Sequence, residues 1–378
     1  MSPTPRWDRC ISHKGVKAQE FVSKYFGETG RQLLVIAGAG FDPRATVLCD
    51  QLGAVCKGAS AILIREIRPQ PPQSLLDRAD ANLAVAQSRY GTVKVLDIEV
   101  FAADGAITGG RQIVRELEPL IDDKVTDIVV DMSALSVGIG YPAIKLLLRF
   151  AENRKPAVNL HVVMVDAQVT DGAIHPVYSD RASSIHGFQH DFGLDSSARA
   201  AKLWLPQLGE GKNVALGRIH QFVNPDEVCP ILPFPASDPR LPDRLVESFG
   251  NELTSNWQVD LRNLVYAAER NPVDLYRAIL RISDARKRVF DAVGGSLLVI
   301  SPLGSKAISV GALMAAVERR FPLVYVEAVS YDVSQGALDA STSADAELVH
   351  VWLVGDAYGQ RVAHSGSSIP NSALKAVN

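Results

Sequence analysis

Apolar positions in the first half of the chain fall into short unbroken runs separated by longer stretches of helical spacing. Residues 32–37 (QLLVIA), 60–67 (SAILIREI), 93–101 (VKVLDIEVF), 126–132 (TDIVVDM) and 158–166 (VNLHVVMVD) read as strands. Between them, 44–57 (RATVLCDQLGAVCK), 73–90, 110–121 and 140–153 (GYPAIKLLLRFAEN) read as helices. Strands that are apolar throughout are those buried on both faces, and right-handed crossovers place the intervening helices over those faces. The pattern predicts an α/β fold, Rossmann-like, with a mostly parallel sheet.

The pattern changes at 222–243 (FVNPDEVCPILPFPASDPRLPD), where six prolines exclude an unbroken helix. Beyond it, 244–270 and 272–292 carry helical spacing, divided by Pro272 at a position suited to a first helical turn. The strand GSLLVI, the turn SPLGSK, the helix AISVGALMAAVERR and the strand PLVYVEAVSY then predict a second α/β unit. The expected organisation is a Rossmann-like domain over 1–205, a Pro-rich linker or arm over 206–243, helices and a second α/β unit over 244–333, and a C-terminal region over 334–378. That last region holds one strand, 347–354 (ELVHVWLV), and a mobile tail.

Composition narrows the function without naming it. A content of 47% hydrophobic and 21% charged residues is that of a globular protein with a substantial core. A formal net charge of -3 gives no general reason to expect nucleic acid or an anionic membrane as partner. The apolar runs are interrupted well before the roughly 18 residues needed to span a bilayer, and the start MSPTPRWDRCISHKG lacks a signal-peptide core. A cytoplasmic protein is expected. Cys10, Cys49, Cys56 and Cys229 have no paired spacing, so neither a zinc site nor a disulfide framework is expected.

Candidate chemistry lies at strand ends. In GAGFDPRA, Gly38 and Gly40 permit a tight turn and close approach of a ligand. Asp42 is placed to accept from a hydroxyl or amino group, and Arg44 to clamp a carboxylate or phosphate. The alternative is a structural corner in which Asp42 caps the next helix and Pro43 occupies its first turn. Glu66, ending the second strand, suits two ribose hydroxyls, or else an ion pair with Arg65 or Arg68. Asp131 and Ser133 follow the fourth strand, as rim residues for a hydroxyl, metal, phosphate or ribose, or as a helix cap. In SPLGSK, Ser301, Gly304, Ser305 and Lys306 form a second anion-binding candidate, whose alternative is a capped turn with a solvated lysine. If the two turns face one cleft, Arg44 and Lys306 would converge on one anion.

GAGFDPRATVL resembles the cofactor turn of class I S-adenosylmethionine-dependent methyltransferases, particularly the leucine-carboxyl-methyltransferase type. The resemblance, over about a dozen residues, implies that Gly38 and Gly40 approach the cofactor and that Arg44 meets its carboxylate; DMSAL departs from the family's substrate-facing motif. The GFDPR and PLGSK turns also resemble those of uncharacterised bacterial α/β proteins of phage-defence loci.

His186 and His190 have i,i+4 spacing, with His175, Asp180 and Asp191 nearby, but Gly187 and the missing HExxH glutamate argue against a metal. Phe188, Trp204, Phe222 and Trp257 read as packing residues, because no basic run is interleaved with them.

The leading expectation is a protein that binds a nucleotide or related phosphorylated ligand, as a sensor or accessory subunit. The alternatives are a methyltransferase using S-adenosylmethionine, and an interaction scaffold whose Pro-rich arm docks a protein partner or second copy.

Overall fold

The computed structural model describes residues 4–56, 58–189, 200–334, 336, 338 and 346–358. The first part of the chain runs β1 (Ile11–Lys14), α1 (Val16–Tyr25), β2 (Leu33–Gly38), α2 (Val47–Val55), β3 (Ser60–Ile67), α3 (Gln73–Arg89), β4 (Thr92–Glu99), α4 (Gly109–Leu117), β5 (Asp127–Asp131), α5 (Val137–Asn153) and β6 (Asn159–Asp166). It continues with α6 (Gln168–Ala173), β7 (Ile174–Ser184), β8 (Ala201–Pro206), α7 (Asn213–Val223), β9 (Glu227–Val228), β10 (Ile231–Pro233), α8 (Leu241–Ser248) and β11 (Val265–Ala267). Last come α9 (Pro272–Phe290), β12 (Ser296–Ser301), α10 (Lys306–Arg319), β13 (Val324–Val333) and β14 (Glu347–Val354).

The largest sheet has seven strands in the order β1-β14-β6-β5-β2-β3-β4. β6, β5, β2, β3 and β4 are parallel, and β14 and β1 complete one edge in antiparallel fashion. This is the mostly parallel α/β sheet that the apolar runs predict: every residue of β2, β5 and β6 is buried. The order reverses between β2 and β5. In open α/β sheets the crevice beyond the carboxyl ends of such a pair is where ligands sit.

A second parallel sheet, β12-β8-β9, carries α7 and α10. Single bridges at Ile300–Leu323 and Gln207–Ile231 extend it towards the antiparallel pair β13-β7 and the parallel pair β10-β11. One apolar cluster runs through both units, from Val130 of β5 and Ile144 of α5 to Ile300 of β12 and Ala312 of α10. A second cluster on the opposite face of the large sheet is covered by α1 and α2.

Several segments differ from the expected elements. β8 (Ala201–Pro206) straddles the expected boundary at 205 and pairs with β12, and the strand at 347–354 joins the first sheet. The Pro-rich stretch holds the end of α7, two short strands and the start of α8; its prolines interrupt the elements without making it structureless. The helix predicted over 244–270 is broken: α8 ends at Ser248, a π-helical turn follows at Glu252–Asn256, and residues 265–267 form β11 beside β10. The expected mobile tail beyond residue 358 lies outside the described residues. Phe188, Trp204 and Trp257 are buried as packing residues, whereas Phe222 is exposed.

The edge β1-β14-β6 is joined by side chains as well as backbone. His13 and His350 meet at 3.0 Å between their Nδ1 atoms, and His350 Nε2 lies 2.9 Å from His161 Nδ1. His161 Nε2 in turn faces Asp127 Oδ1 at 3.6 Å. Burial lowers the pKa of all three rings, which favours neutral imidazoles sharing protons along the row.

Candidate functional site

The segments following β2, β3 and β5 of the large sheet and those following β8 and β12 of the second sheet line one cavity of about 990 Å³. Both candidate turns contribute to it. Gly40, Asp42, Arg44 and Glu66 line one side, with Gly304, Ser305 and Lys306 from the other unit.

Within GAGFDPR the two glycines act differently. Gly40 borders the cavity, and a Cβ there would meet open space. Gly38 does not line the cavity: a Cβ would stand 2.7 Å from the Ala134 carbonyl oxygen, so this glycine lets β2 approach the loop after β5. Gly38→Ala is expected to lower stability by about 1–3 kcal/mol, because the obstructing atoms are backbone. A urea titration checks this, with a fall in midpoint at an unchanged slope as the expected result.

Asp42 and Arg44 are engaged with each other. The Asp42 carboxylate accepts from the Arg44 backbone amide at 2.9 Å, from Nε at 2.9 Å and from the terminal NH2 nitrogen at 2.7 Å. The other terminal nitrogen of Arg44 donates to Asp171 at 2.6 Å. Arg44 is only 5% exposed, so the expected free clamp is instead the centre of a triad that fastens this turn to the end of α6. Asn82 of α3 fixes the turn further by donating to the carbonyls of Gly40 and Asp42.

Glu66 is likewise occupied. It accepts from the Ser136 amide at the start of α5 and from Arg68, both at 2.7 Å, while Arg65 pairs with Asp97. Arg68 also donates to Glu327 of β13 at 3.0 Å and to the Ala328 carbonyl oxygen, bonding the two units across the cavity wall. Burial raises the pKa of Glu327, against the opposing pull of Arg68. Beside them, the buried Ser136 Oγ has no hydrogen-bond partner among the described residues, although Ser136 lines the cavity.

Asp131 and Ser133 are not rim residues. Asp131 accepts from the Ser133 amide at 2.9 Å and hydroxyl at 2.5 Å, and the Ser133 oxygen accepts from Val165 of β6. The pair folds inward as a local turn beneath the cavity, and burial pushes the Asp131 carboxyl up to about 6. Ser301 is also internal, because its hydroxyl accepts from the Trp204 indole at 2.8 Å.

In the second turn, the Gly304 amide donates to Gln207 at 3.1 Å, and Ser305 caps α10 through the Ile308 amide. Lys306 is no solvated lysine: its ammonium donates to the Leu135 carbonyl oxygen of the first unit. Burial, and secondarily the Arg44 charge, lowers its pKa.

A third turn, 207–212 (QLGEGK), is not among the candidates of the sequence, although it lies between the apolar AKLWLP and a helix. Its signal was the same strand, glycine, lysine, helix pattern seen in SPLGSK. Buried Gln207 locks these two turns together by accepting from Gly304 and from Ser309. Gly209 allows the contact, since a Cβ would lie 2.8 Å from the Leu303 carbonyl oxygen.

Among the described residues no group of three or more potential ligands forms a metal site. His190 and Asp191 lie outside the described residues. Among the described residues, no helix is long and apolar enough to cross a membrane.

No family model matches this chain, and no curated protein matches it. Among solved structures, it is similar to the cytoplasmic domain of a prokaryotic cation chloride cotransporter, at 12% identity and a TM-score of 0.23, over 82% of this chain and 99% of that one. A putative universal stress protein from Pseudomonas aeruginosa UCBPP-PA14 is similar at 12% identity and a TM-score of 0.23, over 85% and 99%. An N-terminal ketoreductase from a macrolactin assembly line is similar at 9% identity and a TM-score of 0.19, over 85% and 72%. At these scores the likenesses bear on neither ligand nor activity. The α/β class stands on the strand order and pairing of the chain itself.

Proposed function

We propose that this protein binds a nucleotide or a related phosphorylated ligand in the cavity between its two α/β units, as a sensor or accessory subunit. The observation that carries the reading is the meeting of three strand-to-helix turns, from two parallel sheets, around one volume at the switch point of the larger sheet. Its lysines and helix starts suit an anion, and its apolar wall, including Leu75, Leu135 and Tyr331, suits a base. The Ser136 hydroxyl, unpartnered among the described residues, supplies a polar contact for the ligand to complete. A setting in bacterial defence rests on the resemblance of the two turns alone.

The methyl-donor reading assigns Arg44 and Glu66 to the cofactor, and here both are held by protein partners. A calorimetric panel of ATP, cyclic nucleotides, NAD and S-adenosylmethionine tests the assignment. Saturable binding of a phosphorylated member is expected, with a stabilisation of about 2.7 kcal/mol at a hundredfold excess over Kd. Binding of S-adenosylmethionine alone would transfer the assignment to methyl transfer, and binding of none would sink it.

A further inference from the structure

The structure assigns the anionic end of the ligand to Lys212 and Lys306, at the junction of the QLGEGK and SPLGSK turns, rather than to Arg44. This deepens the proposed function and rests on it.

The argument starts from which cations are already satisfied. Arg44 is paired with Asp42 and Asp171, and Arg68 with Glu66 and Glu327. Lys212 lines the same cavity, yet among the described residues its ammonium has neither a hydrogen bond nor a carboxylate within ion-pair distance. The Tyr178 ring centroid lies 5.5 Å from it. A desolvated ammonium without an acceptor is costly, and an anion in the cavity removes that cost.

The backbone around Lys212 favours the same occupant. Lys212 stands at the N-cap of α7, an eleven-residue helix with no side-chain cap, so its leading amides are left for another acceptor. Gly211, at φ 69°, turns the chain into this position, and a Cβ on it would meet nothing within 4 Å. α10 begins at Lys306 in the adjoining turn, and Gln207 holds the two turns together. Two helix starts and two lysines are thereby brought to one place. The ligand class is a phosphoryl or pyrophosphoryl group, with the nucleoside side lying towards Gly40, Glu66 and Ser136.

Protonation supplies a signature. Desolvation, with the Lys306 charge adding to it, lowers the pKa of Lys212 to about 8, while Asp171 raises it. Of the acidic groups lining this end of the cavity, Asp171 is paired with Arg44, Glu210 and Asp238 with Arg244 of α8, and Glu269 accepts from the Ser237 amide. An anion binds the protonated amine better, so affinity is full below pH 8 and falls as the pH rises above it.

The test is calorimetric titration of ATP and of pyrophosphate into wild type, Lys212→Met and Lys212→Arg, each checked for a native melting transition. Lys212→Met is expected to weaken both probes by roughly 10- to 100-fold, and Lys212→Arg to stay within about threefold of wild type. From pH 7 to pH 9 wild-type affinity is expected to fall by up to about tenfold, and less steeply in Lys212→Arg, where only Lys306, whose pKa burial also lowers, still loses its proton. Equal affinity in wild type and Lys212→Met, or the same pH profile in Lys212→Arg, overturns the assignment while leaving the proposed function intact. If wild type binds neither probe, nor any phosphorylated member of the nucleotide panel, both readings fall.

Discussion

Replacing Arg68 by methionine is expected to lower stability by about 3–5 kcal/mol, the cost of leaving a buried charge without its partner. The Arg68 side chain is 7% exposed and stands between Glu66 at 12% and Glu327 at 4%. Removing the guanidinium leaves two carboxylates facing each other, at a place where Arg68 also holds the β13 backbone through Ala328. The defect has a characteristic pH dependence. Glu327 already has a raised pKa, so its ionisation opposes folding as the pH climbs past the unfolded value of about 4.3. Without Arg68 that opposition grows, and below about pH 4.3 it disappears because the carboxyl is protonated in both states. Urea unfolding at pH 7 and pH 5 is therefore expected to show a smaller gap between wild type and variant at pH 5. A gap unchanged or wider at pH 5 would contradict this account.

Arg44→Met is expected to cost a similar amount, about 3–5 kcal/mol, for a related reason. Here the orphaned group is chiefly Asp42, 13% exposed, since Asp171 is 46% exposed and regains water. Lysine is expected to be a poor replacement, because one ammonium cannot reproduce the fork that engages both oxygens of Asp42 and still reaches Asp171. Thermal and urea unfolding of Arg44→Met and Arg44→Lys measure this directly. Stability equal to wild type in Arg44→Met would show that the triad contributes nothing to the fold and would return Arg44 to the ligand. A loss of ligand binding in these variants is informative only alongside their stability.

The buried strands were legible because β2, β5 and β6 are apolar on both faces, which leaves few alternatives to a covered parallel sheet. β7 was not legible: its residues are half-buried or exposed, and among the described residues it pairs with β13 alone. The helix expected through 244–270 is realised only in part, because spacing alone does not register that beyond the π-helical turn Glu252–Asn256 the chain leaves the helix for a strand at 265–267.

At the candidate site, the positions of the turns could be read and their engagements could not. Arg44 meets Asp171 from 127 residues away, and Arg68 meets Glu327 from 259 residues away. No local pattern distinguishes an arginine waiting for a ligand from one already spoken for in the tertiary structure. Lys212 shows the reverse case. Its turn carries the same local signal as SPLGSK, but what sets it apart is the lack of an acceptor among the described residues around it, which only the assembled cavity displays.

The antiparallel seam in which β14 lies between β1 and β6 ties the order of synthesis to the order of assembly. Ile11 pairs with Trp352, so β1 waits for a partner strand made more than three hundred residues later. Until then β6, apolar on both faces, presents an unpaired edge. The nascent chain therefore passes through a prolonged stage in which that edge is open to pairing with other chains, and closure of the seam is a late, long-range step.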